Sequence, residues 1–321
     1  MAETLISPGV LTRENDQSFI QGQPVEVGAA VIGPTIKGPV EKPTIVSSYS
    51  DYLGKFGATF VSGGAEYSYF TSISAYNYFQ QGGNSLLVTR VVTGSFTSAT
   101  ALISGSGTTA SFNLETLSEG EIMNNSGSFI GTGSLISGSS DNIRWEVQAS
   151  NTSSGTFSLL VRRGNDSQNE KVVLETYSNL SLDPTQPNFI TRMIGDQTFT
   201  ITSDVDGNYF EQITGSFANR SNYVRVVSVP AATPNYLDNA GNPKDEYVGS
   251  IPVNGSGSSG GAFSSAVGTL WIYADAAPTM YEDVINGSNI QGLDQTSYNN
   301  AINLLANADA YRYNVISAPG L

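Results

Sequence analysis

The densest apolar run in the chain is Val25 to Gly33 (VEVGAAVIG), closed by Gly33-Pro34. A short continuous apolar run bounded by turn residues is the pattern of a buried strand. A turn at Lys37-Gly38-Pro39 and a short strand at Thr44-Ile45-Val46 follow. Ser48 to Phe56 predicts a short helix. Ser48 or Ser50 is its N-cap, since a hydroxyl there accepts from the first free backbone N–H groups, and Gly57 ends it. Residues 65–81 predict a second helix: Tyr69, Ile73, Tyr76 and Phe79 or Gln80 fall at helical spacing, and Gly82-Gly83 stops it. Leu86-Leu87-Val88 with Val91-Val92 is then a strand. Strand, helix and strand over short connections is an α/β pattern.

At Thr93 the pattern changes. Residues 94–142 are rich in Ser, Gly and Thr, with scattered apolar positions. Alternation returns at Ile143, Trp145 and Val147, and again at Phe157, Leu159 and Val161. The turn from Ser150 to Gly155 between them makes a hairpin. Lys171 to Glu175 and Phe199-Thr200-Ile201 add strands, and Asp206-Gly207-Asn208 marks a tight turn. Residues 94–221 therefore read as a β-rich insert. Apolar density resumes at Tyr223 to Val227, continues in a short strand at Val248 to Val253, and runs on through Leu270 to Tyr273. Residues 294–309 predict a helix with Asp294 as N-cap and a stripe of Tyr298, Ala301, Ile302, Leu305 and Ala308. Tyr311 to Ile316 predicts a last strand, stopped by Pro319-Gly320. At the other end, residues 1–20 read as an arm. Ser7-Pro8-Gly9-Val10 is a turn, and the residues after it show no apolar stripe. Such an arm cannot bury itself on its own chain; it is either frayed or docked on another surface.

With 321 residues the chain is long enough for two domains. Charged residues are only 13% of it, so the polar surface comes from Ser, Thr, Asn, Gln and Gly. A net charge of −14 without basic clusters speaks against a nucleic-acid partner. Cysteine and histidine are both absent. That excludes disulfides, thiolate sites, Ser-His-Asp triads and His-ligated zinc, and leaves carboxylates, Lys, Tyr and Arg for any catalysis. Residues 2–10 carry no basic segment, and no apolar run nears the ~18–20 residues of a membrane span, so direct membrane insertion is not expected.

Several motifs have bland readings that weigh more than their chemical ones. Gly255, Gly257 and Gly260 match GxGxxG but lie in a Ser/Gly low-complexity stretch, which reads as a flexible loop. Asp204-Val205-Asp206-Gly207 places its glycine too early for a calcium loop and reads as a hairpin turn. Asp245-Glu246 and Glu282-Asp283 read as solvated surface charges. The aromatics Tyr69, Phe70, Tyr76, Tyr78 and Phe79 have no basic groove beside them and read as packing residues. The chain reads as no enzyme and as needing no cofactor or metal.

Taken in order, several segments resemble the contractile bacteriophage tail sheath family. They are Ser7-Pro8-Gly9-Val10 with Arg13-Glu14, Gly28 to Pro34 with Lys37-Gly38-Pro39, Phe56-Gly57, the aromatic helix ending in Gly82-Gly83, and Val88 to Val92. Asn179 to Pro184 with Asn188-Phe189-Ile190, then Leu293-Asp294 with its helix and Tyr313 to Gly320, continue the series. The resemblance implies an α+β chain: a mixed α/β sheath core (21–93 and 222–321) interrupted by an inserted β-rich outer domain (94–221), with an extended N-terminal arm (1–20). It implies a virion structural protein forming a homo-oligomer of helically stacked hexameric rings around a tail tube protein, ending on baseplate and tail terminator proteins. It assigns inter-subunit strand exchange to the arm residues Ser7, Pro8, Gly9, Val10, Leu11, Arg13 and Glu14. Sheath proteins of this kind continue into a C-terminal domain lining the tube, so this chain is expected to be a fragment or the ordered part of a longer product. The sheath of a tailocin, and from another class a carbohydrate-binding or glycoside-cleaving β protein, are the alternative expectations.

Overall fold

The computed structural model describes residues 25–62, 65–92, 97–107, 110–119, 121, 123, 141–167, 169–256, 263–269 and 298–319. It begins with β1 (Val25–Gly33), β2 (Thr44–Val46), α1 (Tyr49–Phe56), β3 (Phe60–Ser62), β4 (Ala65–Tyr67), α2 (Phe70–Gln80) and β5 (Leu86–Arg90). Helix α1 is bounded as its caps predict. The Ser48 hydroxyl accepts from the Asp51 N–H at 3.1 Å, and Gly57, at φ 78°, donates back to the Leu53 carbonyl at 3.0 Å. Helix α2 differs from expectation at both its start and its face. Residues 65–67 pair with 60–62 as a hairpin, so the helix begins at Phe70. Its buried residues are Thr71, Ser72 and Ala75, whereas Tyr76 is 44% exposed. The reason is close approach. A Cβ added to Gly33 would stand 2.3 Å from the Thr71 hydroxyl, so only small residues fit between helix and strand.

The middle of the chain supplies β6 (Thr97–Ser104), β7 (Ala110–Glu119), β8 (Ile143–Asn151), β9 (Thr156–Arg163), β10 (Val173–Ser181), α3 (Ile190–Ile194), β11 (Thr198–Ser203) and β12 (Tyr209–Thr214). Then follow β13 (Val224–Ser228), α4 (Asp245–Val248), β14 (Gly255–Ser256), β15 (Phe263–Thr269), α5 (Asn299–Leu305) and β16 (Tyr311–Ser317). The strand predicted at Val248 to Val253 is reduced to a single bridge: the segment opens on the end of α4, Pro252 pairs with Gly105, and a strand starts only at Gly255. Asp294, the expected cap of the last helix, lies outside the described residues. Within that helix's expected stripe, Tyr298, Ala301 and Leu305 are buried, but Ile302 is 38% exposed and Leu304 takes its place inside.

The fold is mixed α/β, as expected. One sheet runs β16-β1-β5-β2, with β1 parallel to both neighbours and β2 antiparallel to β5. A parallel sheet is normally covered on both faces; the central strands β1 and β5 are, while the edge strand β16 leaves Val315 and Ile316 exposed. Ala30, Ile32 and Leu87 face Tyr298, Ala301 and Leu305 around α5. Val31, Leu86 and Val88 face Tyr52 and Phe56 of α1 and Ala75 of α2.

The other large unit is two antiparallel sheets, β13-β7-β6-β15 and β10-β9-β8-β14, sharing one apolar core. Phe112 of β7 stacks on Phe157 of β9 at 5.6 Å between ring centroids, which places the two sheets face to face as a sandwich. Trp145, Leu159, Leu180 and Val224 fill the space between. Position 221 is no break in this pairing: β13, β14 and β15 join β7, β8 and β6 from beyond it.

The contact between Gly33 and Thr71 makes a test of this packing. Gly33→Ala is expected to destabilise the protein by about 1–3 kcal/mol, the usual cost of overpacking, read as a lower urea midpoint with an unchanged slope.

Candidate functional site

The arm residues Ser7, Pro8, Gly9, Val10, Leu11, Arg13 and Glu14, to which the resemblance assigns the inter-subunit contact, lie outside the described residues, as do Glu282-Asp283. The other motifs resolve into structure-forming roles. Gly255 and Ser256 form β14 against Val147 and Glu146, while Gly257 and Gly260 lie outside the described residues. Asp204 closes the β11–β12 turn, its carboxylate accepting from the N–H groups of Asp206 (2.9 Å) and Asn208 (2.8 Å). The Asn208 amide adds a third bond, and together they hold the Asp204 carboxyl below its ordinary range. Asp245 and Glu246 are both exposed. Tyr78 donates to the Ser85 carbonyl at 2.8 Å, and Tyr69 is buried, so these aromatics serve packing. Among the described residues no three His, Cys, Asp or Glu side chains are placed to hold a metal, and no helix is long and apolar enough to cross a membrane.

What the fold does assemble is a polar joint where the parallel sheet meets the sandwich. Arg90, the last residue of β5, has no exposed surface. Its Nη1 donates to the Gly38 carbonyl at 2.5 Å and to the Glu119 carbonyl at 2.6 Å, the latter at the end of β7. The loop after β1 is stitched to the same strand end. Gly38 N–H donates to the Ser118 hydroxyl at 2.6 Å, and Val40 N–H to the Glu119 carboxylate at 2.9 Å. Glu41 N–H returns to the Arg90 carbonyl at 2.8 Å. Gly38 sits at φ 107°, and a Cβ there would lie 2.5 Å from the Phe56 ring, so no side chain can take its place without a shift.

Just past β7, Glu121 is 4% exposed and lies in the field of Lys37 and Asp141. Burial pushes its carboxyl up to about 7, against the opposing pull of Lys37 and a hydrogen bond from Ser118. Burial also raises the Glu119 carboxyl. Beside the joint is a cavity of about 390 Å³ lined by Lys42, Glu119, Phe199, Tyr209, Glu211 and Asn300. The Lys42 ammonium stands 3.3 Å from the Phe199 ring centroid. Burial lowers the Lys42 pKa and raises that of Glu211. Asn307 holds the hairpin from the α5 side by donating to the Tyr209 carbonyl at 3.0 Å. Directional bonds through a buried charge thus link the backbones of the two units.

Only part of this joint is marked in the sequence. Lys37-Gly38-Pro39 and Arg90 stand inside the sheath-like segments, whereas Glu119 and Glu121 carry no signal of their own. Two carboxylates in a Ser/Thr-rich strand look solvated until distant residues are seen to cover them.

No protein-family model matches the chain, and no curated protein matches it. Among solved structures it is similar to the sheath tail protein of Listeria innocua, at 11% identity and a TM-score of 0.29, over 77% of this chain and 37% of that one. It is also similar to the sheath tail protein of Desulfitobacterium hafniense, at 11% identity and a TM-score of 0.25, over 69% of this chain and 39% of that one. The chain thus spans well under half the length of either protein.

Replacing the guanidinium tests the joint. Arg90→Leu leaves two buried carbonyls without their donor and is expected to cost about 3 kcal/mol or more, measured by urea unfolding. The Gly38 and Val40 amides should lose hydrogen-exchange protection at the same time.

Proposed function

We propose that this chain is a structural subunit of a contractile tail sheath. What carries the reading is the place of the sheath-like segments in the fold. Gly28 to Gly33 lies in β1, Val88 to Arg90 closes β5, and Tyr313 to Ser317 lies in β16. These stretches are far apart along the chain and are hydrogen-bonded neighbours in one sheet. Lys37-Gly38-Pro39 forms the joint that leads out of that sheet. The segments from the two ends of the chain thus meet in one structural unit, while Asn179 to Pro184 and Asn188 to Ile190 lie in the sandwich.

In this reading the subunits form hexameric rings stacked helically around a tail tube, bounded by baseplate and terminator proteins, in the tail of a phage particle. A heterologous contact that does not close on itself generates such a filament. The arm carrying Ser7 to Glu14 adds as a strand to a neighbour's sheet, since main-chain bonds give strength without a large apolar face. Contraction is a passage from a metastable extended lattice to a compact one, with subunits moving as rigid bodies and arms keeping them linked. The energy is stored at assembly, so the step needs no nucleotide. The sandwich projects outward, where a weakly charged Ser/Thr/Gly surface tolerates change.

Negative-stain electron microscopy of the full-length protein at high concentration is expected to show hollow striated cylinders. Deleting residues 1–20 should leave a folded monomer, by circular dichroism and sedimentation, that no longer polymerises. Persistent monomers of the intact folded protein would sink the sheath reading, and unfolding of the truncated protein would sink the role given to the arm.

A further inference from the structure

We infer that the joint between the parallel sheet and the sandwich is an acid-closed latch whose titrating group is Glu121. Protonated, Glu121 lets the loop of residues 37–41 seat on the end of β7; ionised, it drives that loop off. The latch stands on the joint's geometry and holds whether or not the chain is a sheath subunit.

The position of Glu121 makes it the latch. It is 4% exposed, and its Oε1 has no hydrogen-bond partner among the described residues. The Ser118 bond satisfies one side of the carboxyl, but a buried carboxylate whose other oxygen is unpaired still loses hydration that nothing replaces, while the neutral acid loses much less. The charged and titratable groups around it come from every side. Lys37 is on the loop after β1, and Arg90 ends β5. Asp141 precedes β8, and Tyr223 precedes β13. On its own segment stand Ser118 and Glu119. The two cations favour the ionised form and Asp141 opposes it, but burial is the largest influence. Lys37 is itself shared, since its ammonium stands 3.7 Å from Asp141.

The release route is also visible. Ser118 links Glu121 to that loop: its hydroxyl accepts from the Gly38 N–H and is hydrogen-bonded to the Glu121 carboxyl. A cavity of about 630 Å³ runs along that seam, lined by Gly38, Pro39, Thr44, Lys55, Ser118 and Tyr223. Lifting residues 37–41 would open Ser118, the hydrogen-bond partner of Glu121, to water from this side, with Ile36 staying in the core under the parallel sheet.

The direction follows from linkage. The carboxyl is raised from its ordinary value of 4.5 to about 7 in the closed joint. Its contribution to closure is therefore complete below the ordinary carboxylate range and is lost as pH rises through about 7.

The test is hydrogen exchange on the full chain, comparing wild type with Glu121→Gln, which has the same shape and stays neutral. Taking the ratio of the two proteins at each pH cancels the intrinsic pH dependence of exchange. The wild-type to variant rate ratio at the Gly38 and Val40 amides should be small at pH 5 and rise about tenfold or more by pH 8. Between the midpoints of the open and closed joint, the tendency to open grows by about a factor of ten for each step of one in pH. Amides of β8 and β9 should keep a flat ratio. A flat ratio at Gly38 and Val40, or an equal rise throughout the protein, would overturn the latch. If the variant does not fold, the Glu121 carboxyl resonance of the wild type decides instead. A midpoint near 7 that coincides with faster Gly38 exchange supports it, and an ordinary carboxylate midpoint overturns it.

Discussion

Arg90 is the constraint on which much of the structure turns. A guanidinium with no exposed surface must find acceptors where it lies, because stripping a charge of water without replacement costs on the order of several kcal/mol. Its acceptors are two backbone carbonyls from different parts of the chain, Gly38 and Glu119. That demand sets the path of the loop leaving β1. Once Gly38 is held there, its N–H faces Ser118, the next amides fall on Glu119 and Arg90, and Glu41 is forced to φ 58°. The loop can then return at Thr44 to pair antiparallel with Val88, which completes the sheet. The end of β5, the start of β2 and the end of β7 are thus located by one side chain.

The joint contrasts with the bodies it connects. The central strands of the parallel sheet are clamped between apolar layers on both faces, and the sandwich has its own large core. Such cores are non-directional and strong in proportion to their area. The seam between them is made of hydrogen bonds and charges, each contributing only about 1 kcal/mol net but strict in geometry. A protein built this way keeps two bodies rigid and concentrates its adjustable interactions at the boundary, where opening exposes groups that water can satisfy.

The same contrast explains what is legible in the sequence. β1, β2, α1 and the hairpins at 143–163 and 198–214 declare themselves because their signals are local: an apolar run, a Ser cap, a Gly stop, an Asp-Gly turn. Helix α2 departs from its pattern where tertiary packing overrides it. Its first predicted turn pairs instead with residues 60–62, and the closeness of Gly33 selects Thr71, Ser72 and Ala75 over the aromatic stripe. The sandwich's late strands are hidden for another reason. β13, β14 and β15 pair with partners more than a hundred residues earlier, and no local period encodes such a pairing. Glu119 and Glu121 belong to this class too, since residues some eighty positions away help to bury them.

A second set of buried charges clarifies what the joint is for. On the face of β8 and β9 turned away from the sandwich core, Arg162 grips Asp166 through two nitrogens at 2.7 and 2.9 Å and reaches Glu146 at 2.6 Å. Lys171 also bonds Glu146 at 2.7 Å, and Arg144 lies 3.2 Å from Asp166, its pKa lowered by burial to about 10. Every member of that network belongs to β8, β9 or the chain just after β9, so its charges are matched within one body. The charges at the joint are matched across bodies: Arg90 to β7, Lys37 to Asp141. Separating the sandwich from the sheet would leave the first network whole and expose the second to solvent. Ionic strength and pH should therefore act on the seam well before they act on the sandwich, which makes the joint the element through which surroundings can change the relation between the two bodies.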